Sequence, residues 1–114
     1  ISKFKSYPAI LRIILSNLVE NAIHFATPLN PVITVSIYDS QQNVVIEVRD
    51  NGEGIRPEYI DKVFEMYFRA SEKSKGNGLG LYIVKKSVEK LNGSVQLESR
   101  HNQGTLIRVM LPVP

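Results

Sequence analysis

Two stretches of the 114-residue chain alternate apolar and polar residues with a period of two, and each is followed across a polar turn by another of the same kind. Val32 to Tyr38 (V-I-T-V-S-I-Y) reads as a strand, Asp39 to Asn43 as a turn and Val44 to Val48 as the hairpin partner. Ser94 to Ser99 and Thr105 to Leu111 make a second pair around the turn Arg100 to Gly104. Two such pairs predict a largely antiparallel sheet, and the helical segments are there to cover one face of it. Pro8 to Ala26 carries Ile10, Leu11, Ile14, Leu15, Leu18, Ala22 and Phe25 at three-to-four spacing. Pro8 suits a first helical turn, and Thr27-Pro28-Leu29-Asn30-Pro31 ends the helix. Leu79 to Leu91 is a second helix, stopped by Asn92-Gly93. Pro57 to Phe64 reads as a short helix, and the polar, unpatterned Ala70 to Gly78 as a mobile loop. The order predicts a single α+β domain over residues 1–114, with no internal repeat.

Composition excludes several kinds of chemistry. The chain has no cysteine, so it has no disulfide, thiol nucleophile or sulfur-ligated zinc. Its two histidines do not cluster, so a structural metal is not expected. The net charge of +3 is small and spread along the chain. The local concentration of Arg69, Lys73 and Lys75 around Glu72 reads as a solvated loop with a role near phosphate. No base-stacking aromatic pattern accompanies it, so nucleic acid is not an expected partner. No apolar run is long enough to span a bilayer, and no signal peptide is recognised. A chain opening on Ile1 and stopping at Pro112-Val113-Pro114 is expected to be a domain excised from a longer protein.

Three motifs carry chemistry. Asn17, Glu20, Asn21 and His24 fall at i, i+3, i+4 and i+7, on one face of the first helix. Either this is a plain solvent-facing stripe, or the two asparagines do fixed hydrogen-bonding or metal-coordinating work, since asparagine is a mediocre helix former. Asp50-Asn51-Gly52-Glu53-Gly54 follows a strand. It is either a common turn, or a carboxylate held at a strand end beside glycines that let a flat ligand approach the backbone. Such a carboxylate could accept a hydrogen bond from an exocyclic amine such as that of adenine. Gly76-Asn77-Gly78-Leu79-Gly80-Leu81 opens the last helix. It is either a flexible linker or a phosphate site, because free N–H groups and the helix dipole favour an anion there. It lacks the Gly-Lys-Ser/Thr ending of a P-loop and the preceding strand of a dinucleotide fingerprint.

Taken together and in order, these motifs resemble a known family. Asn17-Leu18-Val19-Glu20-Asn21-Ala22-Ile23 resembles the N box of histidine kinases, and Asp50-Asn51-Gly52-Glu53-Gly54-Ile55 their G1 box. Phe64-Glu65-Met66-Tyr67-Phe68-Arg69 is similar to the F box, and Gly76-Asn77-Gly78-Leu79-Gly80-Leu81 to the G2 box. Gly104-Thr105 followed by Leu111-Pro112 resembles the closing strand. The resemblance runs from about residue 8 to the C-terminus. It implies a Bergerat-type α/β sandwich, with a mixed, mostly antiparallel sheet, helices on one face and a flexible ATP lid. This is the fold shared by gyrase, a chaperone family, mismatch-repair ATPases and histidine kinases.

The resemblance also implies roles. Asn21 would hold the Mg2+ that bridges the ATP phosphates, and Asp50 would accept the adenine amino proton. Gly52 and Gly54 would let adenine lie against the backbone, with Ile55 lining the pocket, Phe25 near the base and Thr105 near an adenine-bound water. Gly76, Gly78 and Gly80 would hinge the lid, with Leu79 and Gly80 offering N–H groups to phosphate. Asn17 stands where hydrolysing relatives carry a water-activating glutamate, and asparagine is what histidine kinases place there. ATP held without a base is kept for transfer to another nucleophile. Arg69 or Lys73 is expected to supply a cation to the transferring group. His24 occupies a place usually held by Lys or Arg that reaches the phosphates, and Asn77 one where Thr is commoner. The family's first strand is not seen ahead of the first helix.

The expected activity is therefore donation of the γ-phosphoryl group of Mg-ATP to a histidine of an adjacent dimerisation domain, in a two-component phosphorelay. Neither His24 nor His101 has an acceptor motif around it. The implied partners are that phosphoacceptor domain and a response-regulator receiver domain. The last turn of the first helix, Tyr67 and Phe68 are candidate contacts for the dimerisation domain. The isolated domain is expected to be a monomer, its parent a homodimer, and the domain cytoplasmic whether or not the parent is membrane-anchored. The alternatives are an ATP-hydrolysing domain of the gyrase type, or a non-catalytic nucleotide-binding docking module.

Overall fold

The computed structural model describes residues 8–25, 29–65, 80–100 and 103–112. Its elements are α1 (Pro8–Phe25), β1 (Ile33–Ser40), β2 (Asn43–Asp50), a single 3-10 turn (Pro57–Tyr59), α2 (Gly80–Lys90), β3 (Ser94–Arg100) and β4 (Gly104–Pro112). The strands form one sheet in the order β1-β2-β4-β3. All three pairings are antiparallel. The α+β architecture expected from the sequence is what the chain forms.

Alternation decides which face is buried. Val44, Ile46 and Val48 of β2 and Ile107, Val109 and Leu111 of β4 share the inner face. Ile14, Leu18 and Ala22 of α1, one turn apart, pack on it together with Leu81, Val84 and Val88 of α2. Each fully buried aliphatic side chain here contributes about 1.5–3 kcal/mol relative to exposure. The outer face carries a polar row. Arg108 Nε donates to Glu47 Oε2 at 2.6 Å, Tyr38 Oη to the same oxygen at 3.0 Å, and Arg108 Nη1 to Gln96 Oε1 at 3.1 Å. No helix among the described residues is long and apolar enough to cross a membrane.

Three local expectations are refined. The β1–β2 turn is only Gln41-Gln42, with φ of +49° and +67°. Two consecutive left-handed residues match the twist of a hairpin, and the strands lengthen toward them. Glutamine is not a usual residue for that geometry, so the sequence suggested a longer turn. The helix expected over 57–64 is instead a chain of tight turns, in which Tyr59 N–H donates to Arg56 O, Lys62 to Tyr59 and Glu65 to Lys62. Arg56 provides no side-chain cap to start an α-helix there. Finally, α2 stops where Asn92-Gly93 predicts. Gly93 N–H reaches Val88 O at 2.9 Å and Asn92 N–H reaches Glu89 O at 3.0 Å. This is a Schellman cap, and its left-handed residue is Asn92, at φ +60°.

Candidate nucleotide site

The strand register brings the site together. Across the inner face, Val35–Val48–Ile107–Leu97 forms one apolar row. The next row toward the end of the sheet is Ile33–Asp50–Thr105–Ser99. Three adjacent strands thus end the buried face in a carboxylate and two hydroxyls. Asp50 is only 5% exposed and Thr105 4%.

Asp50 is held from two sides. Gly52 N–H donates to Asp50 Oδ1 at 2.8 Å. Burial pushes the Asp50 carboxyl above the ordinary aspartate range, and backbone hydrogen bonds from Gly52 and Thr105 pull it back. The carboxylate keeps further lone pairs for a donor, and a neutral N–H2 edge is the kind of group it would accept.

The loop after Asp50 is pressed against the end of β3. Gly54 has φ +76°, and a Cβ there would lie inside contact of the Arg100 carbonyl oxygen. Glycine is thus required on both counts. Ile55 is buried, and its N–H donates to Ser99 Oγ at 2.6 Å. Asn51 ties the other side. Its Oδ1 accepts from Val32 N–H at 3.0 Å, and its Nδ2 donates to Asn30 O at 2.9 Å.

That tie matters because residues 26–32 join α1 to β1, and Ile33 pairs with Asp50. The C-terminal end of α1 is therefore led to the Asp50 end of the sheet. The tight turn between α2 and β3 makes α2 run back along the sheet, so its N-terminal end points the same way. Gly80 confirms the meeting, since a Cβ on it would stand 3.5 Å from Asn17 Oδ1.

The two asparagines of α1 are not equivalent. Asn17 Nδ2 donates to Ile13 O at 2.8 Å, so the amide is locked to its own helix. Its oxygen faces the start of α2, and a carboxamide is not basic, so Asn17 provides no base there. Asn21 is half-buried on the same face. Its amide oxygen is a hard ligand suited to magnesium. His24 and Glu20 are exposed on that face. Phe25 is the last residue of α1, and its side chain lies outside the described residues, as do Arg69, Lys73, Gly76, Gly78 and Leu79.

Among the residues expected from the sequence, Asp50, Gly52, Gly54, Ile55 and Thr105 form one cluster, with Asn17, Asn21, His24 and Gly80 on the helices beside it. Ser99 was missed, although it bonds to two members of the cluster. Its only sequence signal is its position: paired with Thr105 in a β3–β4 hairpin, it must share Thr105's face.

The chain is similar to known proteins in sequence and in fold. The sequence profile of the histidine kinase-, DNA gyrase B- and HSP90-like ATPases matches residues 7–114. A probable C4-dicarboxylate sensor kinase of Halalkalibacterium halodurans is 35% identical over 105 residues, covering 90% of this chain and 20% of that protein. Among solved structures, the mycobacterial sensor histidine kinase MprB superposes with a TM-score of 0.81 at 30% identity, over 91% of this chain and 72% of the other. Full-length ShkA in complex with AMPPNP gives a TM-score of 0.79 at 27% identity, over 90% of this chain and 21% of that one. The chain spans about a fifth of the length of the sensor kinase it matches.

Proposed function

The chain belongs to the histidine kinase-, DNA gyrase B- and HSP90-like ATPase family, and we propose that it binds Mg-ATP and presents the γ-phosphoryl group to a histidine of a partner domain. The observation that carries the reading is Asp50, a buried carboxylate at the open end of the inner face. An ionised group costs free energy in such a place unless it has partners, and a ligand amine supplies the one that the backbone does not. Adenine offers that amine. Gly52 and Gly54 leave the backbone bare beside it, and Ile55 provides an apolar wall.

The phosphates then extend toward α1 and the N-terminal end of α2, where unpaired N–H groups and the helix dipole favour anions. Asn21 would hold the magnesium ion, its amide oxygen being a hard ligand on the half-buried face of α1. No three His, Asp or Glu side chains gather for that purpose among the described residues. Most of the ion's shell would therefore be phosphate oxygen and water, which is how magnesium is usually bound. When bound, the ion neutralises phosphate charge and orients the terminal group. The chain's own task is positioning. Asn17 activates no water, so the γ-phosphoryl group is preserved for in-line transfer from ADP to an imidazole nitrogen. Arg69 or Lys73 would supply a cation, and Gly76, Gly78 and Gly80 would serve as the hinge of the lid that the resemblance implies. The acceptor lies on a dimerisation domain of the parent protein, which hands the phosphoryl group to a response-regulator receiver domain. The site works in the cytoplasm, where ATP is available.

The test is calorimetric titration with ATP, with and without magnesium. Micromolar binding that weakens in Asp50→Ala, and loses its magnesium dependence in Asn21→Ala, supports the reading. Magnesium-dependent phosphate release well above background by the domain alone would replace transfer by hydrolysis. Absence of any binding would leave a docking module.

A further inference from the structure

We propose that Ser99 is a positioning residue for recognition of the base: its hydroxyl fastens the glycine loop to the sheet and orients the Thr105 hydroxyl beside Asp50. The inference rests on the reading of Asp50 as acceptor of the adenine amine.

Three contacts converge on one atom. Ser99 Oγ accepts from Ile55 N–H at 2.6 Å. It lies 3.0 Å from Thr105 Oγ1 and 3.3 Å from Gly104 O, to which it can donate. The contacts join the end of β3, which carries Ser99, to two other parts of the chain, the loop after β2 and the start of β4. Residues 55 and 99 are 44 positions apart, so the bond does not follow from local geometry. It also joins the Gly52–Ile55 segment to β3. The Gly54 backbone rests on the same strand end, where a Cβ would come 3.2 Å from Ser99 Oγ.

A hydroxyl has one proton and two lone pairs, which limits the arrangements. Ser99 spends one lone pair on Ile55. If its proton goes to Gly104 O, its second lone pair accepts the Thr105 proton, and Thr105 shows only lone pairs toward the Asp50 site. If its proton goes to Thr105 Oγ1, the Thr105 proton is released to an acceptor. An aminopurine presents a donor amine beside a ring-nitrogen acceptor. Asp50 matches the first and, in the second arrangement, Thr105 matches the second, directly or through a water. Ser99 is what permits the pair to be read together. Without it, Thr105 loses the partner that sets its rotamer, and the loop after Asp50 loses its bond to the end of β3, keeping the Asn51 ties to Val32 and Asn30.

The experiment compares ATP with purine riboside triphosphate, which lacks the amine, in wild type and in Ser99→Ala. Wild type is expected to prefer ATP by roughly tenfold or more, the worth of a charge-assisted hydrogen bond. Ser99→Ala is expected to weaken ATP binding and bring the preference within about threefold. A purely structural role would lower affinity for both nucleotides alike and leave their ratio unchanged, and that result overturns the inference alone. Wild type that does not distinguish the two nucleotides would remove the Asp50 reading, and this inference with it. Amide exchange in the unaltered protein is independent of whether the variant folds. Ile55 N–H is expected to exchange far more slowly than Glu53 N–H in the same loop, and equal rates overturn the tie.

Discussion

Replacing Gly54 with alanine should damage the fold and the site together, and the structure sets the size of the effect. At φ +76° a residue with a side chain sits in the left-handed region, at a cost of roughly 1–2 kcal/mol. The new Cβ would also lie 2.9 Å from the Arg100 carbonyl carbon and closer still to its oxygen. That neighbour is strand backbone, which cannot rotate aside. The loop must move instead, by roughly 1 Å, and the 2.6 Å bond from Ile55 N–H to Ser99 Oγ then exceeds hydrogen-bonding distance. Leaving a buried N–H without its partner costs a further 1–3 kcal/mol or so. The sum is about 2–5 kcal/mol, and for a domain of this size about 3 kcal/mol lowers Tm by about 12 °C. Thermal unfolding by circular dichroism reads the stability, and titration with ATP at a temperature where the variant is folded reads the site. Gly80→Ala is the control. A Cβ there meets Asn17 Oδ1 at 3.5 Å, an ordinary contact, and alanine favours a helix, so Tm should hold or rise. A Gly54→Ala protein melting within about 2 °C of wild type would refute the reasoning.

Two acids of the sheet should respond to pH with opposite signs. Burial raises the Asp50 carboxyl, so the folded state binds its proton more tightly than the unfolded chain does, and stability from this group falls as pH rises from the ordinary aspartate range through the raised value. Asp50→Asn should therefore leave neutral-pH stability equal or higher while ATP affinity drops roughly tenfold or more, and the acid-side loss of ATP affinity in wild type should begin above the ordinary aspartate range and be absent from the variant. Glu47 is held below the ordinary glutamate range chiefly by its hydrogen bond from Arg108, so its contribution is present above that range and is lost as pH falls through the depressed value. Arg108→Met should lower Tm at neutral pH and have little effect in acid, with ATP binding unaltered, because the pair sits on the outer face; an equal loss of Tm at both pH values would contradict this.

Much of this was legible because periodicity survives in the sequence. The stripe Ile14, Leu18, Ala22 and the alternation through both hairpins fix which side chains are buried, and they were read at nearly their structural bounds. Asp50, Gly52, Gly54 and Ile55 stood out because their run, which alone could be a common turn, resembles the G1 box of histidine kinases when taken in order with the other motifs. What stayed hidden was the pairing of the two hairpins with each other. Alternation says that β2 and β4 each have a buried face, and says nothing of Asp50 lying opposite Thr105. The tight turns over 57–65 were hidden for a similar reason, since Ile60, Val63 and Phe64 have the spacing of a short helix and only the tertiary contacts choose otherwise.

Register explains why the site is where it is. On β2, β4 and β3 the inner face is apolar in each row from Val44 to Val48 and becomes polar only at its last, Asp50–Thr105–Ser99. A slip of one residue between β2 and β4 would turn Asp50 to the opposite face and bury Arg49 in its stead. The apolar rows are thus what forbid the slip, and the polar row is placed by the packing of residues that never touch a ligand. The same argument applies to the loops. Gly104 has φ +104°, and a Cβ on it would strike the Asp50 carbonyl oxygen, so the turn before β4 closes directly onto the strand end that carries the carboxylate. Asp50 is consequently held by its own strand, by the loop that follows it and by the start of β4. A carboxylate so confined has little freedom to follow a ligand, so discrimination must come from the fit of the ligand to it. On the proposed reading, the residues behind the contact surface, Ser99 first among them, then matter as much to recognition as the ones that would face the base.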